Sequence, residues 1–194
     1  MKQQLSALVL LPLVVSLGGC ISFGAKPPAS LLTLSSARPI AVGVTQSSGR
    51  ALVMQVPTTP TSIASTRVPV QATPTTLAYL KDAAWSEPPA RLFARLVADT
   101  LTANGTAVLT GVQSIDSPAG TLAGELRNFG VDASDRTAVV TFDAALTRGR
   151  QRSIEKRRFE ARVPVATIDA AGAGPALNDA ANQVAAQVAE WAGR

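Results

Sequence analysis

The sequence contains no histidine and only one cysteine among its 194 residues. Without histidine it lacks the commonest general base, the usual ligand of transition metals, and the Ser-His and Cys-His pairs of nucleophilic enzymes. No aspartate spacing matches a calcium loop, and neither a Gly-x-Ser-x-Gly motif nor a glycine-rich phosphate loop is present. These absences predict a protein that is not an enzyme and that uses no metal or other cofactor.

Aromatic and charged residues are also scarce, at 4% and 16% of the chain, and the formal net charge is only +5. If the first nineteen residues are removed, Lys2 is lost, and 17 basic side chains then face 13 acidic ones. An excess of this size does not favour nucleic acid as a partner.

The first twenty residues have the pattern of an export signal. Lys2 is followed by an apolar stretch over residues 5–17, which is shorter than the ~20 residues of a membrane-spanning helix. Leu17, Gly18 and Gly19 precede Cys20, as in the recognition sequence of the lipoprotein signal peptidase. We therefore predict a signal peptide over residues 1–19 and lipid attachment at Cys20, which would leave no free thiol.

The remaining chain is predicted to form a short tether over residues 20–30 and one domain over residues 31–194. Short strands are expected at residues 31–34, 51–56 and 106–110. The segment after the second of these strands, residues 57–76, carries four prolines and is expected to be mostly irregular.

Two amphipathic helices are predicted. The first has Ser86 as its N-cap and ends at Asn104-Gly105, where glycine favours a left-handed cap. The second opens at Gly174-Pro175 and ends at Gly193. Apolar residues recur every three or four positions in both helices.

Three successive strands are predicted between the helices, at residues 122–129, 140–146 and 159–163. In the third strand, alternation places Phe159 and Ala161 inward and Arg158 and Glu160 outward, so one face of the sheet would meet solvent. The predicted fold class is α+β: a two-layer sandwich of a mainly antiparallel sheet with two amphipathic helices on one face.

The order of these features resembles the ABC-type transport auxiliary lipoproteins, which accompany MCE-type lipid transporters in Gram-negative envelopes. The strongest part of the match is the run from Leu77 through Tyr79 to Trp85, followed by a helix with Pro88 and Leu96. The final alanine-rich helix, with Asn178, Ala181 and Trp191, also looks like the last helix of the family. The chain departs from the family in lacking a double tyrosine at its start and in its Thr-rich segment.

The resemblance implies a non-enzymatic subunit that faces the periplasm beside an MCE-domain protein, a permease and an ATPase, in intermembrane lipid transport. It implies contact with the phospholipid membrane and leaves homo-oligomerisation open. Because residue 21 is isoleucine and not aspartate, the outer membrane is favoured over the inner one. The alternative is a structural lipoprotein that assists assembly of an outer-membrane complex without transporting lipid.

Five side chains are candidates for partner or lipid contact: Tyr79, Trp85, Arg150, Arg152 and Arg158. The arginines belong to a basic run around a predicted hairpin, which would attract lipid phosphates. The same pattern is typical of a solvated turn that discourages edge pairing. Trp85 would equally serve as a packing residue at the start of the first helix.

Overall fold

Seven strands and two helices follow one another in the computed structural model, which describes residues 30–40, 51–110, 118–148 and 153–194. The predicted leader, the lipid site at Cys20, and the candidate residues Arg150 and Arg152 lie outside the described residues. The elements are β1 (Leu52–Met54), a 3₁₀ turn (Thr61–Ile63), β2 (Arg67–Thr73), β3 (Thr76–Ala84), α1 (Pro89–Ala103), β4 (Val108–Thr110), β5 (Gly120–Asp132), β6 (Thr137–Arg148), β7 (Ser153–Pro164) and α2 (Ala170–Ala192).

The strands form one mixed sheet around the long strand β5. Along one edge β5 pairs with β6, and β6 pairs with β7, both antiparallel. Its remaining edge is shared by β1 near its start and β2 near its end, both parallel to it. β4 adds to β1 in parallel, and β3 adds to β2 antiparallel. The predicted meander is confirmed, but the sheet as a whole is mixed.

Both helices cover the same face of this sheet, as predicted. Phe142 and Phe159 lie directly opposite each other on β6 and β7, so they point to one face. The ring of Phe142 meets Phe93 of α1 at a centroid distance of 5.2 Å, and Phe159 meets Trp191 of α2 at 5.5 Å. The buried side chains of both helices and of the inner sheet face form a single apolar core.

The expectation that residues 57–76 are mostly irregular is wrong for the second half of the segment, which forms β2. Pro69 sits inside this strand, beside a register shift between Arg67 and Pro69. A bulge is one of the places where a sheet tolerates proline, because a ladder hydrogen bond is already missing there. Burial of Val68 and Val70 then stabilises the strand.

The sequence patterns did not predict β3, which leads into the first helix. Opposite the shift in β2, four residues of β3 form a bulge, with Asp82 at a φ of 53°. This interruption destroys the period-two alternation by which a strand is recognised.

The helix starts also differ from the predictions. Pro88, not Ser86, occupies the N-cap of α1, and no side chain caps it. The end is as expected, with Gly105 at a φ of 87°. α2 begins five residues before Pro175, because Asp169 accepts a hydrogen bond from the backbone N–H of Gly172 and nucleates the first turn. None of the helices in the described part of the chain is long and apolar enough to cross a membrane.

Candidate functional site

The sheet face opposite the helices carries a network of charged side chains, which we call the open face. Here Arg158 of β7 makes a two-pronged ion pair with Asp143 of β6, through Nε–Oδ1 at 2.6 Å and Nη2–Oδ2 at 2.7 Å. Arg127 of β5 approaches the same carboxylate at 3.4 Å and Glu125 at 3.7 Å. One chain of alternating charges therefore crosses three strands.

A second polar chain runs parallel to the first. Asn128 donates to the hydroxyl of Thr141 at 3.2 Å, and that hydroxyl donates to Glu160 at 3.0 Å. Glu160 in turn accepts from Nε of Arg162 at 3.0 Å. Arg162 is also within 3.7 Å of Asp132 and 3.3 Å of Asp135. Together the two chains join three arginines to five carboxylates, so this network is net acidic although the whole chain is basic.

A bulge in β5 brings the two chains together. The pairing of β5 with β6 shifts between Leu126 and Asn128, so Arg127 is the extra residue. A bulge allows two consecutive side chains to reach the same face of a sheet. Arg127 and Asn128 both make their contacts on the open face, while Leu126 stays fully buried in the core.

The open face contains a cavity of about 290 Å³ beside the 3₁₀ turn. Guanidinium and amide groups alternate with apolar side chains on its wall, which is formed by Ser62, Ile63, Pro69, Gln71, Leu77, Arg127–Asp132, Val139 and Arg162. Sites for small molecules typically measure about 300–1,000 Å³ and are mostly apolar. This cavity suits a single polar group better than an acyl chain.

The carboxylates of the open face are held in their charged form. The pKa of Asp143 is lowered mainly by its hydrogen bond to Arg158, and that of Glu160 by its hydrogen bond to Arg162. The pKa of Asp132 is lowered by the hydroxyl of Ser134. A general acid or base working near neutral pH needs a pKa raised towards 7. The pKa values of these three carboxyl groups are lowered instead, which favours binding over proton transfer.

Tyr79 lies at the rim of this region, half-buried on β3. Its hydroxyl donates to the carbonyl oxygen of Ser62 at 3.3 Å, and the guanidinium carbon of Arg67 stands 3.8 Å above its ring centre. The cation–π contact and the hydrogen bond fix the ring in place. A role for Tyr79 in partner contact stays a prediction.

Trp85 is in the core, with 1% of its surface exposed. Its ring meets Phe129 edge-on at 5.2 Å, and its indole N–H has no partner among the described residues. Trp85 is therefore a packing residue at the start of the first helix, which was one of the two roles that the sequence allowed.

The basic residues around the β6–β7 hairpin that the structure describes differ in their surroundings. Arg158 is committed to Asp143, and Arg148 donates to the carbonyl oxygens of Ala192 and Arg194 at 2.7 Å each. Lys156 and Arg157 are exposed and form no ion pair with the described residues. The contact roles proposed for the arginines stay predictions, and these two cations join them as candidates.

Ser153 and Lys156 have the spacing of the Ser-x-x-Lys motif. In enzymes with this motif the serine is the nucleophile, and a helix would place residues three apart on one side. Here both lie on β7, where successive residues alternate between faces, so residues three apart point in opposite directions. Ser153 and Lys156 are therefore not a catalytic pair.

Most of the open-face network could not have been found from the sequence. Alternation along β7 predicts that Arg158, Glu160 and Arg162 share a face, as they do. Their partners Asp143 and Thr141 follow only from the register of β6 on β7, and Arg127 only from the bulge. Neither the strand register nor the position of the bulge is encoded in a local sequence pattern.

The described residues contain no group of three potential metal-binding side chains. No curated protein matches the chain with statistical significance. Among solved structures, a Xanthomonas campestris protein of the family DUF330 has 23% identity and a TM-score of 0.71, with 84% of this chain and 94% of that one covered. An uncharacterised protein has 15% identity and a TM-score of 0.66, with 84% and 99% covered. At these identities the similarity establishes the fold.

The family is established by a family model, which matches residues 32–189 and is described as the ABC-type transport auxiliary lipoprotein component. The match spans β1 to the last turns of α2, and so it includes the whole sheet, both helices and the open face. The chain belongs to the family of ABC-type transport auxiliary lipoprotein components.

Proposed function

We propose that this protein is a lipid-anchored auxiliary subunit of an MCE-type lipid transporter and that it acts by binding the other subunits. The family match over residues 32–189 carries this proposal, because it assigns the folded part to an ABC-type transport system. The lipid-site sequence at Cys20 lies twelve residues before the match begins. Anchor and domain are thus adjacent in the chain, as a membrane-bound accessory subunit requires.

The geometry of the open face supports a binding role over catalysis. Its three arginines are already opposed by carboxylates, and its carboxylates have lowered pKa values. Such an array costs little to keep rigid and presents both donors and acceptors to a partner. A protein surface with matching charges would gain specificity from it.

Contact with lipid is proposed at the surface of the domain, together with a partner subunit. The cavity of the open face is small and its wall includes Arg127 and Arg162, which an acyl chain would leave unsolvated. A polar headgroup is compatible with this lining. The hydrocarbon part of a transported lipid is therefore assigned to the partner subunits, and the periplasm-facing outer membrane is the proposed location of the anchor.

The test is recovery of partners by a tagged copy of the full chain from mild detergent extracts. We expect the MCE-domain protein, with the permease and ATPase, to be recovered. We expect the tagged full chain carrying Cys20→Ala to recover the MCE protein as well, because folded surface and not acyl chains would make the contact. Recovery of no transporter component, even after cross-linking in cells, would refute the proposal.

A further inference from the structure

The segment that leads from the tether into the domain is fixed along α2. The backbone N–H of Ser35 donates to Asn178 at 2.9 Å, and that of Ala37 donates to Asn182 at 2.8 Å. Asn182 also donates to the carbonyl oxygen of Ser35 at 2.9 Å. The two asparagines are one helical turn apart, so the segment runs parallel to α2 towards its C-terminus.

The chain therefore enters the domain near the start of α2. Leu32 hydrogen-bonds with the backbone of Ala84 and Ser86 at 2.8 Å. Its side chain lies so close to Gly174 that a Cβ there would be 2.8 Å from it. Since residues 32 to 37 pass along α2 from Gly174 towards Asn182, Ser30 lies at the end of the molecule where α2 begins.

Two ends of the molecule can be defined from this route. The tether end contains Ser30, the turn between β5 and β6, and the first turn of α2. At this end Val165, just after β7, donates its backbone N–H to the carbonyl oxygen of Arg136 in the β5–β6 turn. The hairpin end contains Arg148, Ser153 and the last turn of α2, which are joined by the bonds from Arg148 to Ala192 and Arg194. α2 has 23 residues and spans about 35 Å between the two ends.

The two ends differ in charge. The tether end carries Asp132, Asp135 and Asp169, against the cations Arg136 and Arg162. At the hairpin end, Lys156 and Arg157 are exposed cations without an ion pair among the described residues, Glu155 is an exposed anion beside them, and Arg194 is paired with Glu190. The excess of positive charge is therefore at the end of the molecule away from the tether.

The length of the tether decides which end meets the anchoring membrane. Cys20 and Ser30 are ten residues apart, which allows at most about 33–36 Å when fully extended and about 16–19 Å as a root-mean-square coil distance. The hairpin end could touch the bilayer only if the tether doubled back along the full length of the domain. With the tether at its root-mean-square coil length, the tether end of the domain stays next to the membrane.

We propose that the domain stands on its membrane by the tether end, and that the hairpin end points away as a docking surface for an acidic surface of a partner protein. This rests on the proposed function only through the lipid at Cys20. The cations at the hairpin end are then too far from the anchoring bilayer to be bound by its phosphates. An acidic protein surface offers Lys156 and Arg157 the carboxylates that the described part of the chain does not supply.

Orientation is tested with two matched labels, Ser134→Cys in the β5–β6 turn and Ser153→Cys at the start of β7. Both serines are exposed, and with Cys20 lipidated each new cysteine is the sole free thiol. Energy transfer is measured from a thiol-attached donor to an acceptor on lipid headgroups, in phosphatidylcholine vesicles with and without phosphatidylglycerol. We expect more efficient transfer from position 134 in both vesicles; equal or greater transfer from position 153 would overturn the proposed orientation. A protein that fails to float with the vesicles would instead count against the anchor.

The partner is tested by photo-cross-linking in cells from position 153. We expect a protein adduct that Lys156→Glu with Arg157→Glu reduces on the order of tenfold, because charges at an interface rim steer association. The control, Lys81→Glu with Arg91→Glu, changes the net charge equally at exposed sites on β3 and α1 and should leave the adduct intact. A lipid adduct, or no protein adduct, overturns the docking surface. An adduct with a protein outside the transporter keeps the docking surface and counts against the proposed function.

Discussion

Arg148 at the end of β6 donates both terminal N–H groups of its guanidinium to the end of α2, to the carbonyl oxygens of Ala192 and Arg194 at 2.7 Å. The last carbonyls of a helix lack partners within the helix and carry partial negative charge. One side chain from the sheet thus satisfies the carbonyl of Ala192, the last residue of α2, and also binds the oxygen of Arg194 just beyond the helix. This contact ties the hairpin end of the sheet to the helix that covers it.

Replacing Arg148 with methionine should therefore destabilise the domain by about 1 kcal/mol, since a cation at a helix C-terminus contributes up to that amount. We expect faster amide hydrogen exchange in the last turn of α2 and unchanged exchange in α1. Arg194→Met removes an exposed pair with Glu190 and serves as the control, with little change expected. Equal effects of the two substitutions would contradict the capping role.

The core prediction concerns one apolar residue from each helix. Leu96→Ala should lower the free energy of unfolding by about 2–5 kcal/mol, because Leu96 is 3% exposed. Val184→Ala should cost less, since valine leaves a smaller cavity. Gln187→Ala, on the exposed side of α2, should change stability by less than about 0.5 kcal/mol. Urea unfolding gives all three values, and unchanged values for both buried sites would contradict the two-layer packing.

Gly130 permits the close approach of β2 to β5. A Cβ at this position would lie 2.4 Å from the carbonyl oxygen of Pro69, which is backbone and cannot rotate away. We expect Gly130→Ala to destabilise the domain by about 1–3 kcal/mol through forced separation of the strands. At Gly105 no atom is near, and alanine there should cost only the left-handed backbone, about 1–2 kcal/mol. Local exchange in β2 distinguishes the two, because only Gly130→Ala should raise it.

Stability should fall at acidic pH. The pKa of Asp143 is lowered in the folded state by Arg158, so its contribution is present above its unfolded pKa of about 3.9 and is lost as the pH falls through the folded value. Asp143→Asn should be less stable than the parent at pH 7, with the difference vanishing at the acid end of the series. Asp179→Asn changes the net charge equally and is the control. A difference that persists undiminished in acid would contradict the ion pair as its source.

Anchoring is predicted to depend on the single cysteine. Cys20→Ala should give a protein that is unprocessed or released and that no longer labels with radioactive palmitate, because all acyl chains are lost together. Membrane flotation provides the second measurement. A variant that still labels and floats would show that the anchor lies elsewhere.

Local patterns in the sequence predicted the elements that depend on local chemistry. The apolar stripe of α1, the left-handed Gly105, the inward Phe159 and the outward Arg158 are all found where alternation or helical spacing placed them. These features are legible because each residue's side is set by its neighbours within one turn or two strand positions. The start of α2 was misplaced because Asp169 is a stronger start signal than Pro175.

The strands β2 and β3 were missed for a different reason. Pro69 and the bulge at Asp82 break the local rules, and only pairing with β5 and burial of Val68 and Val70 compensate for the broken ladder. Tertiary contacts of this kind outweigh strand propensity, and no window of sequence contains both partners.

The sequence by itself determined the family resemblance, the two amphipathic helices and the three-stranded meander, and it predicts the export signal, because each depends on residues that are close in the chain. The tertiary structure alone decided that Arg127, Asp143, Arg158 and Arg162 form one network, that Trp85 is buried, and that the tether enters at the end opposite the basic hairpin. Strand register and the path of residues 32–37 along α2 set these relationships, and both are fixed by contacts between residues far apart in sequence.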